Sequence, residues 1–337
     1  MYEVFFVGDF KNETGPAIAN KAMREGLKSA KGILYSEANN KIIRIIELIV
    51  KVLVSKNIVF CSASQLNIYG IKLAKFLNRK TFYVMHGYES FEYKINNCNI
   101  EDDKYVSIRN YEKFVFEKID KIFCVSKSFM NFMKKREWEF EKKFDYNYNG
   151  LNIDELKHYT TNYNKRDRNQ IISVGGGRKQ KNNLYVCKAI DNLNKKYNCN
   201  LKYTVIGAAY TDKKKICEYD FVTYYESLPH DEVIRLLNES SIYVQNSHLE
   251  TFGIAVLEGL FSGCSCLISN TVGAKDIFER IDENDIIYNP NDIDEISVKI
   301  MILLVNNNNL RLITNINEKI LFPNVSASEL LKKIRLS

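Results

Sequence analysis

The segment SHLETFGIAVLEGLFSGCSCLIS, residues 247–269, decides how this chain is read. A strand is expected to end near Gln245 and a helix to begin near Phe252. Between Phe252 and Phe261 the single charged residue is Glu258. A carboxylate on so apolar a helix is expected to be at least partly buried, and it then needs hydrogen-bond donors or takes up a proton. The two hydroxyls of a ribose would supply such donors. Glu250 sits just ahead of the helix, where backbone N–H groups lack intrahelical partners. The N–H groups of Phe252, Gly253 and Ile254 could hold a phosphate there, aided by the helix dipole. Gly253 would let that ligand approach the backbone closely. Taken singly, each carboxylate also fits an ordinary role, one as a helix cap and the other as the partner of a nearby lysine.

Outward from this segment, short apolar runs alternate with helical patterns. In the second half the strand candidates are Gln170–Val174, Leu201–Ile206, Phe221–Tyr224, Ser241–Gln245, Ser265–Ser269 and Ile286–Tyr288. A helix is expected over Pro229–Glu239, with Pro229 in its first turn, and two more near Asn308–Ile320 and Ser326–Ile334. In the first half the strand candidates are Glu3–Val7, Gly32–Tyr35, Asn57–Ser62, Thr81–Met85, Lys121–Val125 and Phe144–Tyr148. Helical spacing lies between them, as in Lys41–Val54 and Leu66–Leu77. Strand–helix alternation implies parallel sheets covered on both faces. The polar stretch Thr160–Asn169 reads as a linker. The fold class expected is therefore α/β, with two doubly wound Rossmann-like domains facing across a cleft at the C-terminal edges of their sheets. The domains are placed at residues 1–164 and 165–320, with 321–337 as a terminal helix packing back on the first domain.

Composition narrows the class. The 337 residues are 45% hydrophobic and 26% charged, an ordinary globular balance whose length suggests two cores. Eight cysteines form no C-x-x-C pair, so neither a zinc ribbon nor a thioredoxin-type site is indicated. They read as buried, reduced thiols of a cytoplasmic protein. MYEVFFVGDF reads as a first strand rather than a secretory signal. The most apolar window, Ile42 to Val54, carries Arg44, Glu47 and Lys51 and is too short to span a membrane. The net charge is +7, and residues 1–165 hold 27 Lys+Arg against 20 Asp+Glu, so the whole excess lies in the first half. That suits an anionic partner, either a phosphorylated acceptor or a membrane surface, and equally a solubility surplus.

Other segments bear on the chemistry. IISVGGG is followed by RKQKNN, which sets Arg178 and Lys181 after a Gly-rich strand end, where two cations can neutralise a diphosphate. The segment lacks a P-loop Gly-Lys-Ser/Thr, and Gln180 breaks any G-x-G-x-x-G. His86 and Gly87 fall at the end of the strand in TFYVMHGYESFEY.

Ser247, Glu250, Phe252, Gly253, Glu258 and Gly263 follow the pattern S-x-x-E-x-F-G-x-x-x-x-E-x-x-x-x-G. This resembles the donor site of retaining GT-B glycosyltransferases of family 4, the group 1 family. By that resemblance Glu250 contacts the transferred sugar and Glu258 the nucleotide ribose. Thr251, Phe252, Gly253 and Ile254 line the donor, and Gly175, Arg178 and Lys181 correspond to the family's V-G-R…K around the diphosphate. His86 corresponds to its H-G near the donor sugar, with Tyr88, Glu89 and Glu92 toward the acceptor. CVSKSFMNFM, NYNGLNIDEL and LPHDEVIRLLNESSIYV resemble further family segments, so the likeness runs along nearly the whole chain. Two places depart from it. The family's N-terminal Gly-Gly loop appears as Glu13-Thr14-Gly15-Pro16, which leaves Gly15 as the phosphate contact, and the later Gly-Gly is Gly273-Ala274.

The reaction implied is transfer of a sugar, with retention, from a UDP- or GDP-sugar to a saccharide or lipid-linked acceptor, as in bacterial cell-surface polysaccharide synthesis. Arg178 and Lys181 would stabilise the leaving diphosphate; no general base is evident in the sequence, and the resemblance allows the departing phosphate itself to take the acceptor proton. No metal and no cofactor are then required. The single D-x-D, Asp292 to Asp294, is better read as a helix N-cap. The stretch Phe129–Lys143 reads as a basic amphipathic helix able to rest on the inner face of an anionic bilayer. Against transfer stand a nucleotide-sugar epimerase of the same fold and a dinucleotide dehydrogenase. The latter would need G-x-G-x-x-G after a strand. A nucleic-acid-binding protein would rest on charge alone, without a recognition motif.

Overall fold

The computed structural model describes residues 1–12, 14–97, 102–158 and 166–337. The chain divides into two units, one of Met1–Lys94, Asn99–Asn152 and Glu318–Ser337, the other of Ile95–Cys98 and Ile153–Asn317.

In the first unit the chain runs β1 (Tyr2–Val7), α1 (Gly15–Gly26), β2 (Ile33–Tyr35), α2 (Lys41–Val54), β3 (Ser55–Phe60), α3 (Gln65–Phe76) and β4 (Lys80–Met85). It continues through α4 (Glu89–Asn97), α5 (Asp103–Lys118), β5 (Lys121–Cys124), α6 (Lys127–Arg136) and β6 (Phe144–Tyr146). The sheet order is β2-β1-β3-β4-β5-β6 and every pairing is parallel. The central strands are covered on both faces, and their sequences are accordingly near-continuous apolar runs. Helix starts carry their own signals: Thr14, Asn40, Ser64, Asp102 and Ser126 each accept a first-turn N–H.

The second unit runs α7 (Ile153–Lys157), β7 (Asp167–Val174), α8 (Asn183–Tyr197), β8 (Lys202–Ile206), α9 (Lys213–Ile216), β9 (Val222–Tyr225) and α10 (His230–Glu239). Then come β10 (Ser240–Gln245), α11 (Ile254–Phe261), β11 (Ser265–Ser269), β12 (Ile286–Ile287), α12 (Ile293–Val305) and α13 (Asn309–Thr314). Its sheet, β12-β11-β10-β7-β8-β9, is also all parallel. Ile171, Ile190, Tyr203, Val244, Leu267 and Ile300 form the centre of its core. Asp292 caps α12 by accepting the Glu295 N–H. The final helix α14 (Pro323–Leu336) returns to the first unit and packs on α1. There Ser326 donates to the Tyr148 carbonyl at 2.5 Å and Arg335 pairs with Glu3.

Several expectations need correction. The division falls between Asn152 and Ile153, ahead of the polar stretch, because α7 packs on α11 of the second unit. Of the expected linker, residues 160–165 lie outside the described residues, and Asp167–Asn169 already belong to β7. Pro229 is the N-cap of α10, one position before the first turn. The helix expected over Asn308–Ile320 stops at Thr314, since Ile316 bridges to Phe278 and a 3-10 turn follows. Phe129–Lys143 is not one helix: α6 ends at Arg136 and a 3-10 segment takes over from Trp138. Its apolar side, Phe129, Met130 and Met133, is core, so this stretch has no continuous apolar face to offer a bilayer. Among the described cysteines five are buried, Cys199 is partly covered and Cys217 is exposed. Burial pushes the Cys264 thiol up to about 12. No helix among the described residues is long and apolar enough to cross a membrane.

Candidate active site

In the second unit two loops meet at the C-terminal ends of β7 and β10. After β7 the chain turns at Gly175, whose φ of +142° favours glycine. A Cβ on Gly175 would lie 2.6 Å from Lys181 Cγ, so the missing side chain is what lets the lysine stem fold back over the strand end. Lys179–Lys181 form one 3-10 turn. Gln180 is buried and tethers that turn: its Nε2 donates to the Leu249 carbonyl at 2.8 Å, and its own carbonyl accepts the His248 N–H at 2.8 Å. These bonds carry Lys181 to Glu250, and the ammonium and carboxylate form an ion pair with side chains 15% and 17% exposed. Glu250 is held in turn by its backbone, donating to Thr271 at 3.2 Å and accepting from Gly273 at 2.8 Å.

Thr251 and Phe252 are buried, and Gly253 occupies the N-cap of α11 with φ +99°. As a glycine, the N-cap residue brings no side-chain oxygen of its own to the first-turn N–H groups, and the positive end of the helix dipole lies there. Ile254 opens α11, and Glu258 follows one turn later with its side chain 17% exposed. The His230 Nε2 lies 3.0 Å from Glu258 Oε1, and this hydrogen bond holds the His230 pKa above the usual histidine value. Arg178 is turned the other way, with its guanidinium 4.9 Å from the ring centre of Tyr210. Exchanging Gly253 for alanine forces a Cβ into left-handed backbone, 3.2 Å from both Glu250 Cγ and Val272 Cγ1. We expect Gly253→Ala to destabilise by about 1–3 kcal/mol and to raise the KM for donor, checked by thermal denaturation and saturation kinetics.

In the first unit, Gly15 is the first residue of α1, with open space where a Cβ would stand; Glu13 lies outside the described residues. His86 directly follows β4 and its Nε2 lies 3.1 Å from Asn20 Oδ1. The Asn20 amide nitrogen donates to the carbonyls of Asp9 and Cys61, which assigns Oδ1 as an acceptor and puts the histidine proton on Nε2. Burial pushes the His86 pKa down to about 4. The folded value lies below the unfolded one of about 6.5, so neutral His86 contributes stability that is complete above about pH 6.5 and lost as pH falls toward 4. Urea midpoints of the wild type and His86→Gln should therefore converge across that window. Equal spacing from pH 7 to 4 would contradict it.

Tyr88 does not face solvent. It is 2% exposed, and its hydroxyl donates to Glu137, which pairs with Arg109 at 2.8 Å. Behind it, Glu112 accepts the Ser90 N–H at 3.1 Å, and burial pushes Glu112 up to about 7. Glu89 is exposed and Glu92 partly so, with Glu92 Oε1 3.1 Å from where a Cβ of Gly87 would be. Two contributors escaped the sequence reading. His230 could have been suspected from Pro-His-Asp at a helix start, but nothing local linked it to Glu258. In the sequence Gln180 only interrupts a glycine motif, whereas in the fold its amide fastens the two loops together.

Two parallel six-stranded sheets with flanking helices define the GT-B fold of glycosyltransferases. Solved structures with this fold align over the chain's full length. Anabaena HepE, solved with UDP and glucose, gives a TM-score of 0.69 at 10% identity, covering 100% of both chains. Sucrose-phosphate synthase from Thermosynechococcus elongatus gives 0.68 at 14% identity, covering 100% of this chain and 99% of that one. A glycosyltransferase from Rickettsia africae gives 0.62 at 16%, covering 99% and 98%. Residues 159–320 match the family model described as glycosyl transferases group 1. Residues 159–320 are thus similar to a group 1 glycosyl transferase domain, within a chain of GT-B fold. No curated protein matches the chain.

Proposed function

We propose that the protein transfers a sugar, with retention, from a nucleotide-diphosphate sugar to a saccharide or lipid-linked acceptor at the cytoplasmic face of the membrane, in cell-surface polysaccharide synthesis. The observation that carries this reading is the Lys181–Glu250 pair beside the glycine-capped start of α11, with Glu258 one turn further along the same helix. Lys181 and the α11 N–H groups hold the diphosphate, and Arg178 swings from Tyr210 to join them. Glu250 accepts hydroxyls of the transferred sugar, and Glu258 exchanges His230 for the ribose hydroxyls. As the bond from the anomeric carbon to the diphosphate breaks, the charge gathering on the leaving oxygen is met by Lys181, the α11 N–H groups and the incoming Arg178. The acceptor oxygen bonds to the same face of that carbon and its proton passes to the departing diphosphate. Because side chains and a helix dipole neutralise the leaving group, the chemistry needs no metal. His86 stays neutral near pH 7 and serves the sugar as a hydrogen-bonding group, with Glu89 and Glu92 toward the acceptor. UDP is favoured because HepE binds UDP and glucose, and a sugar-phosphate acceptor has a precedent in a Burkholderia xenovorans trehalose-phosphate synthase bound to glucose-6-phosphate.

The test is a thermal-shift screen of UDP-, GDP- and ADP-sugars, then incubation of the stabilising donor with acceptors and NMR of the product anomer. Glu258→Ala should abolish the donor shift while the unliganded melting temperature stays within a few degrees. Isomerisation of donor alone would make the protein an epimerase, and an inverted product would remove retention.

A further inference from the structure

The helix α2 is apolar over most of its circumference, with Arg44, Glu47 and Lys51 sharing the remaining side, and so broad an apolar face is usually buried. Here only Leu48 and Val52 are buried. Ile42, Ile46, Ile49 and Leu53 recur at helical spacing on the outer face, with Ile43 and Val50 beside them, and these six are 44–69% exposed. A stripe of branched aliphatic side chains in water is not a neutral surface, because each loses free energy by remaining there. Along this part of the chain the charge is equally one-sided. Residues 41–80 contain eight Lys+Arg and one acid, Glu47, and the rest of residues 1–165 is balanced at 19 against 19. The surplus that gives the chain its +7 thus falls between the start of α2 and the first residue of β4. Glu47 does not offset it at the surface, since it turns inward to Lys51 and the Glu37 and Ala38 N–H groups. Lys41, Arg44, Lys56, Lys72 and Lys80 are all exposed.

We infer that the α2 face docks on an anionic lipid bilayer, its aliphatic stripe entering the interface and the surrounding cations meeting lipid phosphates. The charge decides between occupants. A second copy of the same face would bring one strongly cationic rim against another, whereas anionic headgroups complement it. Apolar face and cations together are the pattern of helices that lie in the plane of a membrane surface.

The experiment is flotation of the full chain with phosphatidylglycerol vesicles and with phosphatidylcholine vesicles, alongside light scattering without lipid. The expected result is flotation with the anionic vesicles alone, weakened by salt. Ile46→Asn/Ile49→Asn should reduce it about tenfold, and Lys56→Glu/Lys72→Glu about as much. All four side chains face solvent, so the variants should keep the wild-type melting temperature. Failure to float with phosphatidylglycerol, or flotation unchanged in both variants, overturns the inference. So does a lipid-free dimer that Ile46→Asn/Ile49→Asn dissociates, which would assign the face to a second copy. Flotation does not involve turnover, so its outcome is separate from that of the donor-site tests.

Discussion

Replacing Lys181 by methionine should lower kcat/KM about a thousandfold while leaving the protein folded. Methionine keeps most of the stem that packs over Gly175 and removes only the charge. Deleting one preorganised electrostatic contact to a developing negative charge costs about 10²–10³-fold, and this cation stands in surroundings where water screens it little. A purely structural role for the Lys181–Glu250 pair makes a different prediction. Removing one partner would then do harm by stranding the other, and Lys181→Met/Glu250→Gln would recover much of the loss. If the lysine serves the diphosphate and the glutamate the sugar, the double variant remains at least as impaired as either single one. Steady-state kinetics on the three variants decides, and a kcat/KM near wild type for Lys181→Met would remove the lysine from the mechanism.

The second large effect concerns stability. Asp285 is 1% exposed and accepts two hydrogen bonds from Arg311, at 2.7 and 2.8 Å, and one from Asn308 at 2.7 Å. Asn308 also brackets β11, accepting the Cys266 N–H at 2.9 Å and donating to its carbonyl at 2.8 Å. Asp285→Ala takes the shared acceptor away from both. Arg311 is about one-third exposed and retains Asp282 at 3.0 Å, so the cost falls at the lower end for a broken buried pair. We expect about 3 kcal/mol, or roughly 6–12 °C in melting temperature for a unit of this size. Asp285→Asn, which keeps an acceptor but not the charge, should lose about half as much. Donor affinity measured well below the transition should be unchanged in both, because the network lies on the β11–β12 side of the sheet, away from Lys181.

The outer face of α2 marks where reading from sequence stops short. Isoleucine and valine at helical spacing announce a helix, and Asn40 announces its start. Neither states how much of the circumference finds a partner. Phe129–Lys143 shows the converse: its aromatic and basic residues suggest a surface helix, yet tertiary packing draws Phe129 and Met133 into the core and breaks the helix near Glu137. Tyr88 is a third instance. Its neighbours along the chain place it beside His86, but Glu137, far away in sequence, draws its hydroxyl inward.

The twelve strands among the described residues, the alternation that makes both sheets parallel, and the candidate donor residues as separate points were determined by sequence alone. Periodicity, end-caps and glycine turns act over a few residues and can be read there. Which points become neighbours was decided only in three dimensions. Lys181 and Glu250 stand 69 positions apart. They meet because β7 and β10 pair in parallel, which brings their C-terminal ends to one edge, and because Gln180 ties the two loops that leave it. The union of Glu258 with His230 and the exposure of α2 have the same origin, since both depend on which surfaces are left after the strands have paired.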